Sequence, residues 1–140
     1  IAEISAEIPG SSVVENVEPQ NGRTGSLKVG ISSIDFTRGQ NYRLLVVPVD
    51  RPGFSDSTLQ RLLESEQSCC PMRDGKGGHP LLLSPVDVGR VRESPEDSPL
   101  REIVDPVRFE VFDETLHLNI DTPADIEDLN CKLDSIIEEN

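Results

Sequence analysis

The sequence predicts an α/β fold with a mainly parallel sheet, on three observations. Strand-like and helix-like segments alternate along the chain. Residues 42–49 (YRLLVVPV) form a continuous apolar, β-branched run, and the C-terminal stretch carries a full helix-start signal. An apolar run without alternation suits a strand covered on both faces, as in a parallel sheet flanked by helices. No internal repeat or flexible linker is visible, so residues 1–140 are expected to be one domain. The chain opens on Ile1 and not on methionine, so its N-terminus is expected to be processed or truncated.

The elements follow in order. Residues 1–8 place Ile1, Ile4 and Ile8 at helical spacing, and Pro9-Gly10 stops the segment. Val13-Val14 reads as a short strand ending near Asn16, followed by turn signals at Pro19, Asn21-Gly22 and Gly25. The segment SLKVGISSI, with Leu27, Val29, Ile31 and Ile34, fits a short helix weakened by Gly30 and its serines. The run 42–49 is the strand described above, and Asp50 sits directly at its C-terminal end. Ser55 can cap a helix over residues 56–66 that carries Leu59, Leu62 and Leu63 on one face.

Another strand is expected to begin over residues 68–71, with residues 74–78 (DGKGG) as a loop, and LLLSPVDVGRV is an apolar patch of open type. Residues 92–99 are charged and exposed; Phe109 and Val111 alternate with charged partners in a half-buried strand; residues 116–120 are a second short strand. Thr122-Pro123-Ala124-Asp125 then supplies a capping threonine, proline at the first helical position and an acid three residues after the cap. Ile126, Leu129, Leu133, Ile136 and Ile137 form the apolar stripe of that last helix.

Composition excludes several functions. Acidic residues number 26 against 13 basic ones, for a net charge of −13, which repels nucleic-acid backbones. No apolar run reaches the roughly 18 residues of a membrane span, and no signal peptide is visible, so a cytoplasmic protein is expected. Cys69, Cys70 and Cys131 show neither disulfide nor zinc spacing and are expected to be buried, reduced thiols. With only His79 and His117 present, no Ser/His/Asp or Cys/His set can be assembled, and His117 in LHLNI reads as structural.

Three features could carry chemistry. Asp50 in VVPVDRP and Asp121 in LNIDTP each end a strand, and open α/β sheets bind ligands outside the carboxyl ends of their strands. Two carboxylates facing one cleft suit Mg²⁺ bridging phosphate oxygens, although each acid can equally cap the loop or helix that follows it. The loop 75–80 (GKGGHP) lets backbone approach a ligand and offers His79 as a hydrogen-bond donor, or is a plain tight turn. Residues 21–28 (NGRTGSLK) open a helix, where free N–H groups with Arg23 and Lys28 favour an anion, or they are ordinary turn chemistry.

Taken in order, NGRTGSLKVGI, LLVVPVDRPGFSDSTLQRLL, GKGGHPLLLS, and DSPLREIV followed by LHLNIDTPADIEDL resemble one family. It is the molybdenum-cofactor cytidylyl/guanylyltransferase group of the nucleotidyltransferase superfamily. The resemblance implies a three-layer α/β/α Rossmann-like sandwich that transfers CMP or GMP from CTP or GTP to a phosphorylated molybdopterin-type acceptor, releasing pyrophosphate. It places Asp50 and Asp121 on the family's metal-binding acids, with Mg²⁺ as cofactor. Gly78, His79 and Pro80 fall on the acceptor side, and Ser26 and Leu27 fall near the nucleotide pocket. The family's N-terminal strands and their glycine-rich, basic triphosphate loop have no counterpart in these 140 residues. That leaves an alternative expectation, a non-catalytic relative serving as a binding or assembly module. An uncovered sheet edge could then pair with a partner or, in a homodimer, with a second copy.

Overall fold

The computed structural model describes residues 8–138, which divide into two compact units. Within the described residues, the first comprises residues 8–43 with 85–105, and the second residues 44–84 with 106–138.

The second unit holds the sheet. Strand β1 (Leu44–Val46) pairs antiparallel with β4 (Leu81–Leu83), and β4 meets β2 (Cys69–Arg73) at Cys69 opposite Leu82. β2 turns through Asp74 and Gly75, whose φ values of 52° and 74° form the two-residue left-handed loop that an Asp-Gly pair favours, into β3 (Lys76–Gly77). On the other side of β2 lies β5 (Val107–Glu110), parallel to it, with Cys69 opposite Val107 and Met72 opposite Glu110. The unit is therefore mixed α/β. The mainly parallel sheet expected from the sequence is seen in the β2–β5 pair alone among these four ladders. For the β2–β3 and β2–β4 pairs the reason is loop length: only a handful of residues separate these strands, too few for the crossover that a parallel pair requires.

Helix α2 (Asp56–Glu64) packs on this sheet. The hydroxyl of Ser55 accepts the Thr58 N–H at 3.3 Å and caps the helix as expected. Leu62 is fully buried with Cys69 and Leu82, and Leu45 and Phe109 pack against the cluster. Burying a leucine completely is worth about 1.5–3 kcal/mol, so this cluster is the energetic anchor of the unit. The guanidinium of Arg61 covers the Phe109 ring at 4.4 Å from its centroid. Leu63, by contrast, is 46% exposed, so the apolar face runs through Thr58 and Leu62.

Two strand expectations are corrected here. The run 42–49 is a strand only at Leu44–Val46 and is half-buried there; Pro48 has no N–H for a ladder, and Val49 is 97% exposed. Residues 116–120 are turn and coil. Leu116 N–H donates to Asp113 and Leu118 N–H to Thr115, so the donors a ladder needs are used locally. Helix α5 (Pro123–Glu138) begins where expected. Of its apolar stripe, the side chains of Leu133, Ile136 and Ile137 lie outside the described residues, and Ile126 is exposed.

The first unit is helical. A 3₁₀ turn (Pro19–Asn21) leads into α1 (Gly22–Arg38), longer than expected, and α1 packs on α3 (Pro85–Glu93), which is followed by the short α4 (Leu100–Ile103). Asp35 accepts two bonds from Arg92, at 2.6 Å from Nε and 2.9 Å from Nη2, and one from the Tyr42 hydroxyl at 2.8 Å. The hydrogen bonds from Arg92 hold the Asp35 carboxyl below its ordinary value against a smaller upward push from burial. Val13 and Val14 form no strand; residues 11–16 are coil, with both valines exposed. Asn16 instead closes a local turn by accepting the Glu18 N–H at 3.0 Å. The helix expected over residues 1–8 lies outside the described residues, apart from Ile8.

Candidate functional site

Two loop segments of the sheet unit lie against each other in opposite directions, held by a ladder of mostly side-chain bonds. Ile120 N–H donates to the Asp50 carbonyl at 2.9 Å, and Arg51 Nη1 donates to the His117 carbonyl at 3.4 Å. The Thr115 hydroxyl donates to the Gly53 carbonyl at 2.9 Å, and Ser55 N–H donates to Asp113 Oδ2 at 3.0 Å. Partners therefore run 50 with 120, 51 with 117, 53 with 115 and 55 with 113. Gly53 makes this possible: a Cβ there would stand 1.9 Å from the Thr115 carbonyl oxygen.

This apposition brings the backbone at Asp50 beside that of Ile120, the residue before Asp121. Asp50 is half-buried in the turn after β1, and Asp121 follows directly on the residue bonded to it. Asp121 is exposed, and its carboxylate accepts from the Asn119 amide. The start of α5 fixes the backbone here: Asp125 Oδ2 accepts Asp121 N–H at 3.0 Å, Thr122 N–H at 2.7 Å and the Thr122 hydroxyl at 2.8 Å. These bonds, the Thr122 hydroxyl first, hold the Asp125 carboxyl below its ordinary value. Asp125 thus supplies one half of the expected capping box by accepting the Thr122 N–H, while the Thr122 hydroxyl donates to the same carboxylate.

Gly78, His79 and Pro80 reach the same end of the sheet. Val46 pairs with Leu81 in an antiparallel ladder, so the residues before Leu81 run beside those that lead from Val46 to Asp50. Gly78 N–H donates to the Pro71 carbonyl at 2.7 Å, and Leu116 lies 3.0 Å from where a Gly78 Cβ would be. His79 is half-buried and joined to buried Pro80 by a cis peptide. His117 is structural as expected: its Nε2–H donates to the Arg73 carbonyl at 3.1 Å.

Ser26 and Leu27 lie in the helical unit, inside the first turns of α1. Ser26 donates to the Gly22 carbonyl at 3.1 Å and accepts from Asn16 at 2.9 Å, and Leu27 is half-buried. Arg23 is exposed, but Lys28 donates its ammonium to the Ser94 carbonyl, so it does not face the helix start as an anion site would ask. Cys69 and Cys70 are free and buried as expected, with burial pushing the Cys70 thiol up; Cys131 is free but exposed.

By residue type, Asp50, Asp121 and Asn119 carry the hard oxygen donors that a divalent cation such as Mg²⁺ takes, and the Asn119 Oδ1 is a buried acceptor with no hydrogen-bond partner among the described residues. Among the described residues no group of three or more His, Cys, Asp or Glu side chains converges as a metal cage. Mg²⁺, which keeps several waters and takes one or two carboxylates, does not need one. The residue that sequence reasoning missed is Asp113, which binds the start of α2 through Ser55 and Thr58.

In this mixed α/β unit Asp50 stands in the turn after β1, and Asp121 follows the residue bonded to it. The chain belongs to the MobA-like NTP transferase domain family, whose model matches residues 3–114. Membership carries nucleotidyl transfer from a nucleoside triphosphate as the general activity. No curated protein matches the chain. No helix among the described residues is long and apolar enough to cross a membrane.

Proposed function

We propose that the chain is a Mg²⁺-dependent nucleotidyltransferase that moves CMP or GMP from CTP or GTP onto a phosphorylated molybdopterin-type acceptor. An acceptor phosphate oxygen attacks the α-phosphorus, the bond to the β-phosphate oxygen breaks, and pyrophosphate leaves. Asp50 and Asp121 hold the cation, which supplies Lewis-acid neutralisation of charge on the phosphates. Asn119 steers Asp121 through its amide. In the sheet unit, Gly78, His79 and Pro80 are assigned to the acceptor; in the helical unit, Ser26 and Leu27 are assigned to the nucleotide. The observation that supports this reading best is the apposition of the Asp50 turn and the Asp121 segment through the Ile120–Asp50 bond, in a chain of this family. The net charge of −13 also asks for a cation wherever a triphosphate is to dock.

Mn²⁺ serves as a spectroscopic probe of the cation site. Asp50→Ala and Asp121→Ala should each weaken Mn²⁺ binding at least about tenfold, the low end of what losing a carboxylate from a hard-cation site costs. Calorimetric titration of CTP and of GTP with Mg²⁺ then reads the base preference. Wild-type Mn²⁺ affinity in Asp50→Ala removes the metal role, and heat from neither nucleotide removes the substrate.

A further inference from the structure

Asp113 joins two parts of the sheet unit that are far apart in sequence. Its Oδ2 accepts the Ser55 N–H at 3.0 Å and the Thr58 hydroxyl at 2.7 Å. Ser55 is the cap of α2, and Thr58 is buried one turn into that helix. The same helix is anchored in the core by Leu62, so the partners of Asp113 are set by packing and not by the loop itself. Two residues beyond Asp113, Thr115 bonds Gly53, and seven beyond, Ile120 bonds Asp50.

We propose that Asp113 is a positioning residue, whose clamp on the start of α2 sets the register in which Asp50 and Asp121 meet. The inference rests on reading those two acids as a divalent-cation site. Register matters because one residue of slip moves an extended chain by about 3.3 Å, whereas metal–oxygen distances tolerate about 0.2 Å. The other rungs of the ladder are weaker locks. Arg51 reaches His117 at the limit of hydrogen-bond distance, and Thr115 is a neutral donor on a carbonyl. Asp113 alone places an ionic acceptor on two donors from the helix, and charge-assisted bonds are roughly twice as strong as neutral ones. Burial pushes its carboxyl up, but the bonds from Thr58 and Ser55 and the Arg73 charge together outweigh that and leave it below its ordinary value. It is ionised at neutral pH and stays an acceptor.

The test reads positioning apart from stability. In Asp113→Ala, amide exchange at Ile120 should speed up about tenfold or more while Val107, bonded to the Ser68 carbonyl in the sheet, keeps its protection. Mn²⁺ affinity should fall by about tenfold, the low end for losing an outer-shell partner. Asp113→Asn, which keeps an oxygen acceptor, should recover part of both, and Thr58→Val, which removes one of the two bonds, should show a smaller loss of the same kind. Leu83→Ala, a fully buried side chain of β4 that makes no bond to Asp113, Ser55 or Thr58, is the control, lowering global stability without changing Mn²⁺ affinity. Unchanged exchange at Ile120 in both Asp113→Ala and Thr58→Val, or equal acceleration at Val107, overturns the inference. If Asp50→Ala also leaves Mn²⁺ binding intact, it is the cation site that fails, and the Ile120 amide alone decides the clamp.

Discussion

Replacing Gly53 by alanine is the sharpest perturbation the fold offers, because the cost comes from space and not from backbone dihedrals. A Cβ at this position stands 1.9 Å from the Thr115 carbonyl oxygen and 2.6 Å from its carbon. An ordinary carbon–oxygen contact is about 3.3 Å or longer, so the two segments must part by about 1.4 Å. The obstacle is backbone, which cannot swing aside as a side-chain tip could. Parting breaks the Thr115–Gly53 bond, worth about 1 kcal/mol, and adds overpacking strain of about 1–3 kcal/mol. The expected destabilisation is about 3 kcal/mol, which for a chain of this size lowers the melting temperature by about 10 °C. Thermal melting followed by far-ultraviolet circular dichroism measures it, with Ile120 amide exchange reporting whether the Asp50 end opens too. A melting point within about 2 °C of wild type would refute the close apposition, since even one lost hydrogen bond shifts it further.

Two further outcomes follow from the packing and the charges. Leu62→Ala should cost about 2–5 kcal/mol in urea unfolding, while Leu63→Ala, one position away but outward, should stay within about 0.5 kcal/mol; equal effects would mean that α2 presents a different face to the sheet. Asp35, whose carboxyl is depressed below 3.8 chiefly by the Arg92 hydrogen bonds, contributes stability in full above that pH. As pH falls through the lowered value, the unfolded chain takes up the proton more readily and the contribution is lost. Asp35→Asn should therefore be less stable than wild type at pH 7 and converge with it in acid, and parallel curves of unfolding midpoint against pH would count against the pair.

The parts of the fold that were legible in the sequence are those with local chemistry. Ser55 before α2, the Thr122-Pro123-Ala124-Asp125 start of α5, and the Asp-Gly turn between β2 and β3 each carry their signal within four residues. What misled was hydrophobicity read without partners. Residues 42–49 look like one buried strand, but only Leu44–Val46 finds a neighbour, β4, and beyond it Pro48 breaks the run. The alternation Leu116, Leu118, Ile120 has the period of a strand, yet Leu116 is buried from a turn, where a side chain can reach the core without any ladder. Sheet direction was equally out of reach, because alternation of element types does not fix how closely spaced strands pair.

The site divides along the same line. Asp50 and Asp121 could be singled out because each stands beside a local turn or helix-start signal, DRPG and DTP. Nothing local marks Asp113, whose partners lie 58 and 55 positions away and whose own neighbours, Phe112 and Glu114, are an exposed ring and an exposed acid. A trace does exist in the opposite segment. Gly53 sits three residues after Asp50, where no turn demands a left-handed residue, and a glycine kept for space implies another backbone close by. Thr115 is that backbone, and two residues earlier the same chain carries the carboxylate that accepts from Ser55 and Thr58 at the start of α2. The antiparallel course of the two segments agrees with pairing this acid with a helix start at one end and Ile120 with the Asp50 carbonyl at the other, so the carboxylate at Asp113 and the glycine at position 53 mark the same apposition from its two sides.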